Sequence, residues 1–315
     1  MNPFAHRSDL PYELPPFDAI RDEHYLPAFL EACEEQLAEV TAILESGAPT
    51  FENTIVALEK SGRMLFRVLS VFYNKSSADT NPAIDAIEEE IAPKLSAHTD
   101  AINLNAELFE RIRHIHDVRN ELNLDAESVW LIERYYRDFV HAGAQLGVNE
   151  REELKALNEK LSKLGTKFSQ NVLNDTNELA VLVEDVAELA GLESGQIDAA
   201  AAAAEARGHK GKWLLTMVNY TGNPLLASLT NRDLREKIMK ASLSKGGRSN
   251  DNDNRALILE MVKLRAKRAN LMGFKSHAEY VLSEQTAGHP DRVHEMLRKI
   301  APAAVANARE EGKAI

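Results

Sequence analysis

A single cysteine, Cys33, leaves the chain without any means of closing an internal disulfide, which excludes the cross-linked secreted scaffolds. No apolar leader stands behind Met1, and together these two features predict the reducing cytoplasm as the location. Apolar stretches are interrupted by charge well before the ~20 residues a spanning helix needs, so no membrane is expected as a partner. Positive charge is also in short supply. The 37 Lys and Arg stand against 49 Asp and Glu, and the net charge of -12 repels phosphate backbones, so no nucleic acid is expected either. Asn74-Lys75-Ser76, Asn174-Asp175-Thr176 and Asn219-Tyr220-Thr221 match the glycosylation pattern but lack the secretory context it needs, and read as chance.

The common catalytic patterns are missing as well. There is no Gly-x-Gly-x-x-Gly, no Gly-x-x-x-x-Gly-Lys and no Gly-x-Ser-x-Gly. Ten histidines call for a metal search, yet His-Glu-x-x-His is absent: His294-Glu295 opens it and Arg298 stands where the second histidine belongs. His114 and His116 are two apart, a spacing that does not share a helix face. His289 and His294 flank Pro290 with no acidic or thiolate cluster to complete a coordination set. Cys33 sits among Glu31, Glu34 and Glu35, which raise a thiol pKa and argue against a nucleophile. No residue of the chain is therefore assigned to catalysis or to a metal, and its substrate-binding residues are unknown. Trp130, Tyr135, Tyr136, Arg137, Phe139 and His141 admit a peptide groove, although on one helix such a set more often divides between core and solvated face.

What the sequence does contain is helical periodicity. Residues 1–17, with Pro3, Pro11, Pro15 and Pro16, predict an extended N-terminal arm. Residues 18–175 form a first helical region: an apolar stripe from Asp18 to Gly47 in which Pro27 marks a kink or a new start, a helix capped by Thr50 through Phe72, and one from Pro82 that Pro93 should kink or break near Ile91. Shorter helices are expected around Leu108 and over 125–146. The cleanest pattern follows, with Leu154, Leu157, Leu161, Leu164, Phe168 and Val172 alternating steps of three and four. Over 176–230 the period changes. Leu179 to Val183 and Trp213 to Val218 are β-branched runs that can pair as a small ribbon, and Ala199 to Ala204 predicts a short helix ended by glycine. Residues 231–315 are helical again, after the polar loop Lys245 to Asn254, which reads as the most flexible connection and a candidate hinge. The last helix, with Val293, Met296, Leu297, Ile300 and Val305 in phase, shows no capping residue before Ile315, which predicts continuation into a further part.

Several segments, read in order, resemble the front part of the bacterial peptidyl-dipeptidases (dipeptidyl carboxypeptidases) of the thimet oligopeptidase family of zinc metallopeptidases. They are Asn2-Pro3-Phe4 with Leu10-Pro11-Tyr12, Phe51-Glu52-Asn53-Thr54-Ile55 running into Ala57-Leu58-Glu59, and Phe139 to Leu146. Leu189-Ala190-Gly191-Leu192, Lys212-Trp213-Leu214 and Leu271-Met272-Gly273-Phe274 complete the set. The resemblance implies a mainly α fold, the multi-helix N-terminal portion of a two-lobed zincin peptidase with one small β-ribbon, whose channel admits oligopeptides. It also implies zinc in the parent protein, held by a His-Glu-x-x-His helix and a later glutamate. All of these are expected beyond Ile315, so that this chain would hold no cofactor and be inactive alone. Its expected partners are the oligopeptide substrate and its own missing C-terminal catalytic portion. The alternative from another class is a non-catalytic helical scaffold or peptide-binding module.

Overall fold

Side-chain caps set many of the element boundaries in the computed structural model, which describes residues 2–218 and 222–314. Asn81, Asn105, Asp125, Asn231 and Ser276 each accept a backbone N–H from the turn that follows, meeting a donor that no helix satisfies internally. The helices are α1 (Tyr25–Leu44), α2 (Ala57–Lys60), α3 (Arg63–Ala78), α4 (Pro82–Asn103), α5 (Ala106–Val118), α6 (Ala126–Ala142), α7 (Val148–Glu178), α8 (Ser194–Ala206), α9 (Arg232–Ser244), α10 (Arg255–Leu271), α11 (His277–Leu282) and α12 (Pro290–Lys313). Two strands, β1 (Val181–Val183) and β2 (Trp213–Leu215), pair antiparallel, with Val181 opposite Leu215 and Val183 opposite Trp213. The class is mainly α with one small ribbon, as the periodicity predicts. Of the three glycosylation-like triplets, Asn219-Tyr220-Thr221 lies outside the described residues.

Contacts divide the chain into two units, Met1–Lys163 with Val262–Ile315, and Leu164–Met261, where the sequence pattern suggests divisions after residues 17, 175 and 230. In the first unit one apolar cluster gathers Phe4, Tyr25, Phe29, Val68, Phe72, Ile84 and Ile91, with the Tyr25 ring 5.6 Å from Phe4 and 5.4 Å from Phe72. A second gathers Val40, Ile43, Ile55, Leu108, Ile112, Ile115, Ile132 and Phe139. The Phe51–Ile55 segment is a π-helical turn that serves this second cluster. Asn53 donates to the carbonyls of Ser46 and Ala48, and Arg111, almost fully buried, donates to Thr54 Oγ1, Gly47 O, Ser46 Oγ and Asn53 Oδ1. The buried guanidinium is thus held by neutral oxygens at the carboxyl end of α1, where the helix dipole favours a cation.

The second unit packs Val183, Leu189, Leu215, Met217, Leu225, Leu229, Leu234 and Ile238 together. Here Gly191 has φ +99°, and a Cβ on it would lie 2.0 Å from Ser228 O. Glycine lets the backbones close up so that the Thr230 N–H reaches Ala190 O at 2.9 Å.

Five expectations need correction. The N-terminal arm is not simply extended over the surface: Phe4 is buried in the first cluster and Pro11–Glu13 form a 3-10 turn. Burying that ring supplies ~2–3 kcal/mol, enough to pin the arm. The stripe from Asp18 becomes α-helix only at Tyr25, after a 3-10 turn at Asp22–His24; Pro27 lies in the first turn, where a missing N–H costs nothing, so of its two alternatives the new start is the one seen. The helix expected from Thr50 through Phe72 is interrupted at Ser61 and at Gly62, whose φ is +68°. Of the kink or break expected at Pro93, the break does not occur, since α4 runs through it as one helix: an interior proline costs ~3 kcal/mol, and burial of Ile84 and Ile91, at ~2–3 kcal/mol each, outweighs it.

The loop 245–254 is the fifth, and it is strapped down rather than loose. Asp175, fully buried near the end of α7, accepts from the Gly246 N–H at 2.6 Å, from Arg248 at 2.5 and 3.2 Å, and from Asn250 at 3.2 Å. Asn171 donates to Asn254 Oδ1 at 2.9 Å, and Asn254 donates to Phe168 O at 3.1 Å. Residues rich in local turn chemistry also carry many donors and acceptors, and here the protein rather than water satisfies them.

Candidate functional site

Two of the segments that carry the resemblance, 139–146 and 271–274, come together at one pocket in the first unit. It encloses about 360 Å³ and is lined by Tyr136, Arg137, Val140, His141, Gln145 and Leu146 on one side and by Met272, Phe274, Ser283 and Glu284 on the other. α6 supplies the first group because its amphipathic pattern sends Phe139 into the core and leaves Tyr136, Val140 and His141 half-buried at the edge. The helix stops at Ala142 rather than reaching Leu146, because Gly143 takes φ +108° and donates its N–H to Phe139 and Val140 O. A Cβ at Gly143 would lie 2.6 Å from Leu154 Cδ2, so only glycine fits there.

The far wall is fixed by a reciprocal contact. The His141 ring stacks on Tyr280 with centroids 4.2 Å apart and 8° between planes. His141 Nε2 donates to Tyr280 O at 2.9 Å, while Tyr280 Oη donates to His141 O at 3.2 Å. Phe274 meets both rings edge-on, at 6.2 and 5.4 Å. On the near side His116 stacks on Tyr136 at 3.9 Å, and Gln145 donates to Tyr136 Oη at 3.2 Å. The walls are therefore held in place by packing before anything binds.

Charges at the rim are unevenly spent. Arg134 pairs with Asp138 at 2.8 Å and reaches Glu284 at 3.8 Å. Arg137, one turn on and exposed, forms no ion pair among the described residues. Behind the aromatic wall lies a buried relay: Asp100 accepts from Asn158, whose Oδ1 accepts from Arg268 at 3.2 Å, and the Arg268 guanidinium lies 5.4 Å from the Tyr280 ring centroid. Burial pushes the Asp100 carboxyl up to about 6, because the hydrogen bond from Asn158 and the nearby cations Lys155 and Arg268 offset only part of the desolvation. Arg268 Nε and His277 Nδ1 are buried with no hydrogen-bond partner among the described residues.

The residues singled out in the sequence are thereby sorted. Of the aromatic and basic set, Tyr136, Arg137 and His141 line the pocket and Phe139 is core. Trp130 is exposed, and Tyr135 turns away to donate to Glu59 at 2.7 Å. His289 accepts from the Asp291 N–H as a helix cap, and Cys33 is half-buried with its thiol pushed up to about 11 by burial and by Glu34. No group of three or more His, Cys, Asp or Glu converges among the described residues, so the donors described here do not fit a zinc ion. Tyr280, Ser283, Glu284 and the Asp100–Asn158–Arg268 relay were missed in the sequence, where no local pattern marks them.

Residues 225–315 match the family model described as peptidase family M3. The chain is 39% identical over 312 residues to the dipeptidyl carboxypeptidase of Escherichia coli (strain K12), covering 99% of this chain and 46% of that protein. It is 36% identical over 304 residues to the dipeptidyl carboxypeptidase of Salmonella typhimurium, covering 96% of the chain and 45% of that protein. With the oligopeptidase A of Escherichia coli (strain K12) the identity is 30% over 308 residues, again 96% and 45%. The chain thus spans a little under half the length of the curated relatives it matches. No helix among the described residues is long and apolar enough to cross a membrane. Over nearly its whole length the chain is similar to part of the dipeptidyl carboxypeptidases and oligopeptidases A, and the match to peptidase family M3 lies at residues 225–315.

Proposed function

We propose that this chain is the N-terminal, channel-wall portion of a zinc metallopeptidase that releases dipeptides from the free C-terminus of oligopeptides in the cytoplasm. The observation that carries the reading is the 39% identity to a dipeptidyl carboxypeptidase along 99% of the chain. Residues in the segments that carry the resemblance have structural work in this chain: Asn53 and Thr54 hold Arg111, and Gly191 brings two backbones together. In this reading zinc is held by residues outside this chain, and the chain's own work is to shape the wall that admits an unfolded peptide and excludes a folded protein.

The test uses the complete reading frame in which this segment is encoded. Purified product is incubated with N-terminally blocked oligopeptides, free or amidated at the C-terminus, and products are identified by mass spectrometry with and without a zinc chelator. Release of C-terminal dipeptides from the free-carboxylate peptides alone, abolished by chelation and restored by zinc, is the expected result. Absence of any hydrolysis by zinc-loaded, folded protein would leave the chain a non-catalytic helical protein.

A further inference from the structure

We propose that the pocket between α6 and the 272–284 segment binds a peptide at an apolar residue followed directly by an acidic one. The inference deepens the peptidase reading and rests on it for the class of ligand.

Three features of the pocket point to that chemistry. Its floor is apolar: Val140, Leu146, Met272 and Phe274 surround a volume of about 360 Å³, which accommodates one large aliphatic or aromatic side chain with part of its backbone. Its rim carries a cation with no carboxylate of its own, since Arg137 is exposed and unpaired among the described residues while Arg134 is engaged by Asp138 and Glu284. In a chain of net charge -12, an unpaired arginine beside an apolar floor favours a ligand that pairs a carboxylate with a hydrophobic group. Finally, Gln145 lines the pocket and, with its NH₂ donating to Tyr136, offers its amide oxygen as an acceptor for an N–H of an extended backbone, while the Glu284 carboxylate is turned to Arg134. Aromatic side chains, methionine and arginine on pre-set walls are the composition that makes energetic anchors at peptide-binding surfaces.

The pocket's own methyl groups report on it. The 315-residue chain, labelled at its Val, Leu and Met methyls, is titrated with acetyl-Gly-Leu-Asp-Gly-amide, which has no free terminus. Val140, Leu146 and Met272 signals are expected to move together and to saturate. Replacing the peptide's Asp with Asn is expected to weaken binding about tenfold, the size of one exposed charge-assisted contact. In the Arg137→Ala chain that Asp-over-Asn preference disappears; because Arg137 is exposed and unpaired, the thermal melt stays put. Gln145→Trp, which fills the mouth from an exposed position, abolishes the shifts.

The inference is overturned if those methyls stay still, if Asp and Asn peptides bind alike, if a basic peptide binds better, or if only peptides with a free C-terminal carboxylate bind. Its failure is separable from that of the peptidase reading. Dipeptide release by the complete protein without methyl shifts here sinks the pocket alone; methyl shifts without hydrolysis sink the peptidase reading alone.

Discussion

Asp175→Asn changes one atom in the strap that holds the loop 245–254, and its cost can be worked from the hydrogen bonds. Both oxygens of Asp175 are surrounded by donors, Oδ2 by the Gly246 N–H and Oδ1 by Arg248 and Asn250. An amide NH₂ therefore faces a donor whichever way it is turned. One buried donor left without an acceptor costs ~1–3 kcal/mol, and the weakened bond to Arg248 adds to that. Arg248 keeps Glu178 on its exposed side, which limits the loss to about 3 kcal/mol in total. The titration gives a consistent size: Arg248 first, then the Gly246 N–H and Asn250, hold the carboxyl at about 2 against an ordinary 3.8. A depressed carboxylate of that kind contributes ~2–3 kcal/mol, present above the unfolded pKa and lost as pH falls from about 4 through 2. Hydrogen exchange read by mass spectrometry is the suitable assay, because the strap governs a local opening rather than global unfolding. Exchange over 246–254 at pH 7 is expected to speed up about 100-fold in Asp175→Asn. In Glu178→Gln, which alters an exposed partner, it should change by less than about fivefold. Equal exchange in wild type and Asp175→Asn would refute the account of the loop as strapped.

The relay behind the pocket titrates the other way. Asp100 is raised to about 6, so the folded state holds its proton more tightly than the unfolded chain, and stability is lost as pH rises from about 4 through 6. Asp100→Asn removes that slope and raises stability at pH 8 by ~1–3 kcal/mol, measured by urea unfolding at pH 5 and 8; an unchanged slope contradicts the assignment. Arg111→Lys keeps the charge but loses the planar fork that reaches four oxygens at once, and should lower stability by ~2–4 kcal/mol in the same assay. A midpoint that does not move would show that Arg111 does not hold the Phe51–Ile55 turn to α1.

Local chemistry carried much of the fold in readable form. The steps of three and four from Leu154 to Val172 are one face of α7, the short apolar runs ending at Val183 and beginning at Trp213 are the ribbon, and Asn81, Asp125 and Ser276 cap helices that begin where such residues should start them. The resemblance too was legible, because its segments stand in order along the chain. The pocket was not. Arg137 and His141 stand out in the sequence, but their meaning depends on Met272, Phe274 and Tyr280, more than 120 residues away, and no periodicity encodes that meeting.

Sequence by itself determined that the chain is mainly helical, where several caps start its helices, that charge is mainly negative, and which proteins it resembles, because propensity, capping and composition act within a few residues. Tertiary structure decided the rest. Pro93 sits inside a helix because Ile84 and Ile91 are buried on it, and the polar loop after Ser244 is fixed because Asp175 and Asn171 wait beneath it. Phe4 turns an arm into part of the core. In each case a local preference worth ~1–3 kcal/mol was set against burial or buried hydrogen bonding of equal or greater size, and the partner that tipped the balance came from elsewhere in the chain.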